Sequence, residues 1–415
     1  MSLQGPILIV ANRPLEGLAQ AFTDAGAFPI VEASWAGAQT AAAEVKPSAI
    51  LLSEPDAADS DAVTALAREV ARAVPFTPMV IRVRDDMAPT LPDALAIADD
   101  APVGQLIARV TSAQRLRTLH STVLGRAKSL KDERNIVAEL PEGDPLEDAT
   151  VLLIGRGRHH PTLSVAVGER MGVMGALSVD QGTRCLNARE VDGIMLGDGL
   201  AAGTVDAFLT LLAEDARFRD LPVAMLGGGS DAAKLPNFVH ARDPMVLLQR
   251  AVPLIRMRAL ETALKRLLKS IECKGMIDVQ TGLFNVNAFG EALGRAIEDS
   301  GERGARLSLA RFSFDEPVDR RTSMDAARLI SRLVRDADFA CRQDDGSILF
   351  AFGDTDLRDA HVVARRLASV LKHTMLRLNS ERPEISPAVT LATLKPADTL
   401  HTLLARVAPR PVAAA

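Results

Sequence analysis

Arg335 and Asp338 stand three residues apart in the stretch RDADFACRQDDGSILF, residues 335–350. A guanidinium fork can grip a phosphate, or the O6/N7 edge of guanine, through two parallel hydrogen bonds. A carboxylate beside it can accept from the guanine N1 and N2 hydrogens. After five intervening residues, Asp344-Asp345-Gly346-Ser347 forms a polar turn between a short strand and an apolar one. The rhythm is that of a catalytic hairpin, in which a turn brings backbone close to phosphate and an acid holds Mg²⁺. These turn residues suit that chemistry poorly, because paired carboxylates repel phosphate and Gly346 has no side chain to offer a metal.

The elements that must position these residues follow from hydrophobic pattern. Residues 1–125 alternate apolar runs at 7–11, 28–33, 49–53, 79–83 and 95–99 with helix-length segments. Continuous apolar strands alternating with helices predict a parallel sheet covered on both faces, in the flavodoxin-like doubly wound order. After a Pro/Gly/acid linker at 140–149 the pattern restarts over 148–270, with runs at 150–155, 175–179, 193–197, 222–227 and 237–241. An amphipathic helix is expected from Pro253 to Lys274. Residues 275–410 read differently, with strands at 306–314, 339–342, 347–352 and 388–393 and helices near 324–336 and 357–375. That order predicts an α+β palm with a mostly antiparallel sheet.

Composition excludes several classes. Apolar residues make up 47% and charged residues 24%, a globular profile, and the net charge of -5 supplies no general field for nucleic acid. With no Tyr and one Trp, Trp35, stacking platforms for single strands are absent. Cys185, Cys273 and Cys341 are unpaired in spacing, which points to a reducing compartment and to neither a disulfide framework nor a zinc site. No run approaches the ~18 apolar residues of a membrane span, and the N-terminus enters a strand without a basic leader, so a cytoplasmic location is expected. The GGGS at 227–230 reads as a flexible turn, His159-His160 as a surface loop, and the terminal APRPVAAA as a tail. Its closing Val-Ala-Ala-Ala is similar to small apolar tails read by ClpXP-type proteases.

The segment DVQTGLFNVNAF (278–289) matches the GGDEF-family opening D-x-L-T-G-L-x-N-R at Asp278, Thr281, Gly282, Leu283 and Asn285, departing at Gln280 and Val286. With two doubly wound units before it, the whole chain resembles the receiver–receiver–GGDEF response regulators of PleD type. The resemblance implies two CheY-like receiver domains and a nucleotide-cyclase palm. It also shows what is missing. Ser53 and Gly197 stand at the phosphoacceptor positions, with Asp198 one place late, where a strand would turn it to the other face. The acid pair after the first strand is Ala11-Asn12 in the first unit and absent from LLIGRGR in the second, while Asp99 and His240 lie near the positions of the Lys. In the palm, Ser313 replaces a metal-binding Asp, Asp315 is not the usual ligand, and Asp344, Asp345, Gly346 and Ser347 replace the signature turn. The loop EPVDRRTSM is too short to carry the guanine-reading Asn.

The resemblance therefore implies neither phosphorylation nor catalysis, and no metal or cofactor. What it preserves is the R-x-x-D of the family's inhibitory site, Arg335 and Asp338, with Arg366 (beside Arg365) as the second arginine, all directed to cyclic di-GMP. The expected activity is that of an effector and scaffold, with a homodimer through the receiver domains, and with a protease adaptor and cell-cycle regulators as partners at the cell pole. Two alternatives stay open: a scaffold that binds no nucleotide, and a residual diguanylate cyclase.

Overall fold

The computed structural model describes residues 3, 5–15, 17–84, 87–134, 143–227, 235–303, 305–314, 320–374 and 387–408. Residues 315–319 (Asp315 among them), most of the GGGS turn, the start of the 140–149 linker and residues 409–415 of the tail lie outside the described residues.

The chain separates into two compact units, residues 1–128 with 140–264, and 129–139 with 265–415. In the first unit, β1 (Ile7–Val10), α1 (Leu18–Asp24), β2 (Ile30–Ala33), α2 (Ala38–Val45), β3 (Ala49–Leu52), α3 (Ser60–Ala71), β4 (Met79–Val83), β5 (Leu95–Ala98) and α4 (Val103–Arg134) come first. They are followed by β6 (Thr150–Ile154), α5 (His160–Gly168), β7 (Gly172–Ala176), α6 (Val179–Ala188), β8 (Gly193–Leu196), α7 (Ala202–Glu214), β9 (Val223–Leu226), β10 (Phe238–Ala241) and α8 (Pro244–Glu272). The two sheets are wholly parallel, in the orders β2-β1-β3-β4-β5 and β10-β9-β8-β6-β7. Each is the 2-1-3-4-5 doubly wound order that the apolar runs predicted. Helices cover both faces, so β1, β3 and β8 are buried along their whole length.

Three boundaries differ from expectation, one of them the helix expected near 324–336, which spans Arg320–Ser331 and leaves Arg335 in the turn that follows. The run at 175–179 straddles an element end: Gly172–Ala176 is the strand, and Ser178 caps α6 by accepting from the Gln181 N–H. Helix α8 begins at Pro244, where Asp243 accepts from the N–H groups of Met245 and Val246 at 2.8 and 3.0 Å, and Pro253 lies inside it. The packing of Ala251, Val252, Leu254 and Ile255, all buried, outweighs the backbone bond that Pro253 removes.

Two arginines join the halves of this unit. Arg109 on α4 is fully buried and donates to the Ala96 carbonyl of its own half and to the Pro236 and Phe238 carbonyls of the other, at 2.8 and 2.6 Å. Arg250 on α8 repeats the arrangement, donating to His240 of its own half and to Arg84 and Met87 of the other. Six residues along each helix, Arg115 reaches Asp220 at 2.7 Å and Arg256 reaches Asp93, again across the halves. Burial pulls the Arg109 guanidinium down from 12.5 to about 9, which leaves it cationic at neutral pH.

The second unit holds α9 (Val286–Arg303), β11 (Leu307–Phe314), α10 (Arg320–Ser331), β12 (Phe339–Arg342), β13 (Ile348–Gly353), α11 (Leu357–Thr374), β14 (Pro387–Thr393) and α12 (Leu400–Val407). Its sheet is antiparallel throughout, in the order β12-β13-β11-β14. One face packs Phe312, Phe350 and Phe352 against α10 and α11; the other packs Leu307, Leu309 and Leu349 with Phe289, Leu293 and Leu403 of α9 and α12. Cys341 lies in that second core, where burial pushes its thiol up to about 12.

Candidate functional site

At the carboxyl ends of β1 and β3, where a doubly wound sheet binds its ligand, the first half presents Asn12 and Ser53. Asn12 donates to Asp56 and Asp59 at 3.2 and 2.8 Å, and the Ser53 side chain has no hydrogen bond among the described residues. Asp99 follows β5, its carbonyl accepting from Arg82.

In the second half the same crevice is filled from within. Gly197 donates to the Ile154 carbonyl at 2.8 Å, and Asp198 lies past the end of β8, so strand alternation does not set its direction. Its carboxylate leans over Gly157, whose Cβ, if present, would lie 2.2 Å from the carboxyl carbon. Both carboxyl oxygens meet His159, one at the backbone N–H (3.3 Å) and one at Nδ1 (3.1 Å). His159 is thus the partner of Asp198 rather than an isolated loop residue.

The hairpin between β12 and β13 is also self-contained. Gly346 turns the chain at φ +80°, a conformation that favours glycine. Asp345 accepts from the Ser347 N–H at 2.9 Å and its hydroxyl at 2.6 Å through one oxygen, and from Arg311 through the other. Burial works to raise its carboxyl, and these donors outweigh it and hold it below the ordinary range. Arg311 and Ser313, two apart on β11, share one sheet face, so a guanidinium occupies the side on which a metal ligand would be needed. Arg342 donates to Ser323 at 2.8 Å, and Ser323 in turn to the Gly346 carbonyl at 3.3 Å. Asp344 is exposed, Ser347 is buried, and Gly346 and Ser313 offer no carboxylate. These residues do not fit a divalent cation, and no group of three potential ligands occurs among the described residues.

Arg335 and Asp338 share one tight turn between α10 and β12, closed by the Asp338 N–H donating to the Arg335 carbonyl at 2.9 Å. One Asp338 oxygen accepts from the Gly353 N–H at 3.1 Å; the other has no donor among the described residues. Burial raises the Asp338 carboxyl, against the opposing pull of the Gly353 N–H and of Arg335. Arg335 is exposed, and its guanidinium has no hydrogen bond or ion pair among the described residues. The turn therefore presents a desolvated acceptor and an uncommitted fork side by side. Gly353 sets this arrangement: a Cβ there would lie 2.3 Å from the Ala337 carbonyl oxygen. A glycine in a strand is a readable sign of close backbone approach, and reading the sequence for side-chain chemistry alone passes over it. Arg366 is exposed on α11, which packs through Ala360, Ala364, Leu367 and Leu371. No hydrogen bond or ion pair joins it to the turn.

No family model matches the chain, and no curated relative is matched. Among solved structures, the GGDEF domain of DgcB from Caulobacter crescentus, in complex with c-di-GMP, is 21% identical and covers 32% of this chain and 82% of its own, with TM-score 0.30. The FimX GGDEF domain from Pseudomonas aeruginosa is 16% identical over 32% of this chain and 88% of its own, with TM-score 0.29. PelD from Pseudomonas aeruginosa, in complex with c-di-GMP, is 19% identical over 40% of this chain and 56% of its own, with TM-score 0.24.

Proposed function

We propose that the chain is a non-catalytic cyclic di-GMP effector, with two degenerate receiver domains and a degenerate GGDEF domain. The observation that carries this reading is the contrast between two neighbouring turns. The 344–347 turn spends its donors and acceptors on itself, through Asp345, Arg311, Ser347 and Ser323. The 335–338 turn keeps an open carboxylate oxygen beside an exposed guanidinium. Guanine offers N1 and N2 donors to the first and O6/N7 acceptors to the second, and Arg366 supplies a further cation for phosphate. The Asp198–His159 closure and the neutral Ser53 argue against phosphoryl acceptance in either half.

The chain most resembles PopA, the non-catalytic relative of PleD. That resemblance implies a cytoplasmic protein at the cell pole that recruits adaptors delivering cell-cycle regulators to a ClpXP-type protease. Among the described residues no helix is long and apolar enough to cross a membrane. A homodimer through the receiver domains would use surfaces other than the Arg109/Arg250 face, which is consumed within the chain.

The test is calorimetric titration of cyclic di-GMP into the full chain and into Arg335→Ala, with a parallel assay of GTP turnover in Mg²⁺. Micromolar or tighter binding, lost in the variant, with no turnover is the expected result. Absence of binding to the unmutated chain would leave the scaffold reading, and turnover would restore the cyclase one. Gly353→Ala offers an independent check, since it disturbs the turn without touching a ligand-binding side chain. It should weaken binding by about tenfold, or 1.4 kcal/mol, and unchanged affinity would show that Gly353 does not set the site.

A further inference from the structure

Helix α11 carries a second surface, on the side away from its core. At about 100° per residue, Ala360, Ala364, Leu367 and Leu371 define the buried stripe. Leu357, His361 and Arg365 form one ridge at spacings of four on the outer side, and Arg358 and Val362 form the next. Together, among the described residues, they line a shallow depression of about 580 Å³ that is open to solvent over most of its area. Its apolar members are markedly uncovered, Val362 at 63% and Leu357 at 43% exposure.

The charge of this surface is inverted relative to the molecule. The chain is net -5, yet α11 holds a single acid, Asp359, against Arg358, Arg365, Arg366 and Lys372. The nearest acid before the helix, Asp356, is committed to Arg306 at 2.9 Å and to the Asp359 N–H. Arg365 has no hydrogen bond or ion pair among the described residues. A cationic rim around two exposed aliphatic side chains on a shallow, open surface matches docking of an extended or helical segment of opposite charge. A lipid surface is the poorer fit, because interfacial helices insert a broad apolar face and this one offers two aliphatic side chains.

We propose that the outer face of α11 is a docking surface for an acidic segment of a protein partner, anchored by one aliphatic or aromatic side chain seated between Leu357 and Val362. Arg358 and Arg365 would pair with carboxylates flanking that anchor, setting direction and register. The surface is independent of the turn carrying Arg335 and Asp338, so it stands whether or not nucleotide binds there.

The experiment is selection of a displayed library of random peptides against the full chain, with selected peptides titrated against Val362→Asp and Arg358→Glu. Both positions are exposed or rim positions outside the core, and circular dichroism checks that each variant stays folded. The expected result is enrichment of sequences in which Asp or Glu flank a Leu, Ile or Phe, with binding weakened about tenfold or more in each variant. No enrichment, a neutral or basic consensus, or equal binding by the variants would overturn the proposal. Sedimentation with phosphatidylglycerol vesicles is run alongside. Vesicle binding that is lost in Val362→Asp, without peptide enrichment, would overturn it in favour of a membrane.

Discussion

Arg109→Ala is expected to destabilise the first unit by roughly 3–5 kcal/mol, a cost set by lost volume in a closed site and by unpaired buried carbonyls. The wild-type side chain is fully buried and satisfies three carbonyls, of Ala96, Pro236 and Phe238. Those carbonyls belong to strand ends and a loop that cannot find other donors without opening the interface. Lysine would not substitute, since one ammonium cannot present a planar fork to acceptors in both halves. The measurement is denaturant unfolding followed by fluorescence of Trp35, the chain's one tryptophan, which is buried in the core of the first half. Arg250→Ala makes the experiment discriminating. Arg250 belongs to the second half yet donates to Arg84 and Met87 of the first, so its loss should also lower the Trp35 midpoint. A Trp35 transition that ignores Arg250→Ala would mean that the halves unfold separately and that the arginine pair does not bind them into one cooperative unit.

The paired arginines also show where sequence reasoning stops. Runs such as ILIV, AILL and GIML declare buried parallel strands because helices on both faces leave no polar side to alternate with. That is why both strand orders were legible from the alternation of apolar runs with helix-length segments. Arg109 and Arg250 carry no such signal. Each sits on a helix with charged neighbours, and only the meeting of two surfaces distant in sequence makes them core. Pro253 misleads for the same reason, since local propensity marks a helix start while the buried residues around it keep α8 continuous. At the hairpin, the substitutions at Ser313 and Gly346 were readable one position at a time. The Arg311–Asp345 pair was not, because it depends on which β11 residues share a face with the turn. Asp198 was given a direction by strand alternation, a rule that lapses where β8 has already ended.

Asp338→Asn is expected to weaken cyclic di-GMP binding by roughly 1–3 kcal/mol, the discrimination carried by one two-point contact to a base. Stability should hold or rise slightly. The two effects have one cause. Burial raises the Asp338 carboxyl, so the folded chain favours its protonated form more than the unfolded chain does. That contribution to stability is complete below the ordinary value of 3.8 and is lost as pH rises through the raised folded value. At neutral pH the native state therefore carries a partly desolvated carboxylate at a cost, which guanine N1 and N2 donors would offset. Asparagine removes the cost and the second acceptor together, a trade between stability and function common at binding sites. The same sign sets the pH dependence of binding. Affinity of the wild-type chain should be level near neutrality and fall on acidification as the carboxylate takes up a proton, whereas the weaker binding of Asp338→Asn should lack that carboxylate-linked fall. Calorimetric titrations of both chains across the acid range provide the comparison. Parallel acid profiles for the two would show that the Asp338 carboxylate does not meet the ligand, and would move the site away from this turn.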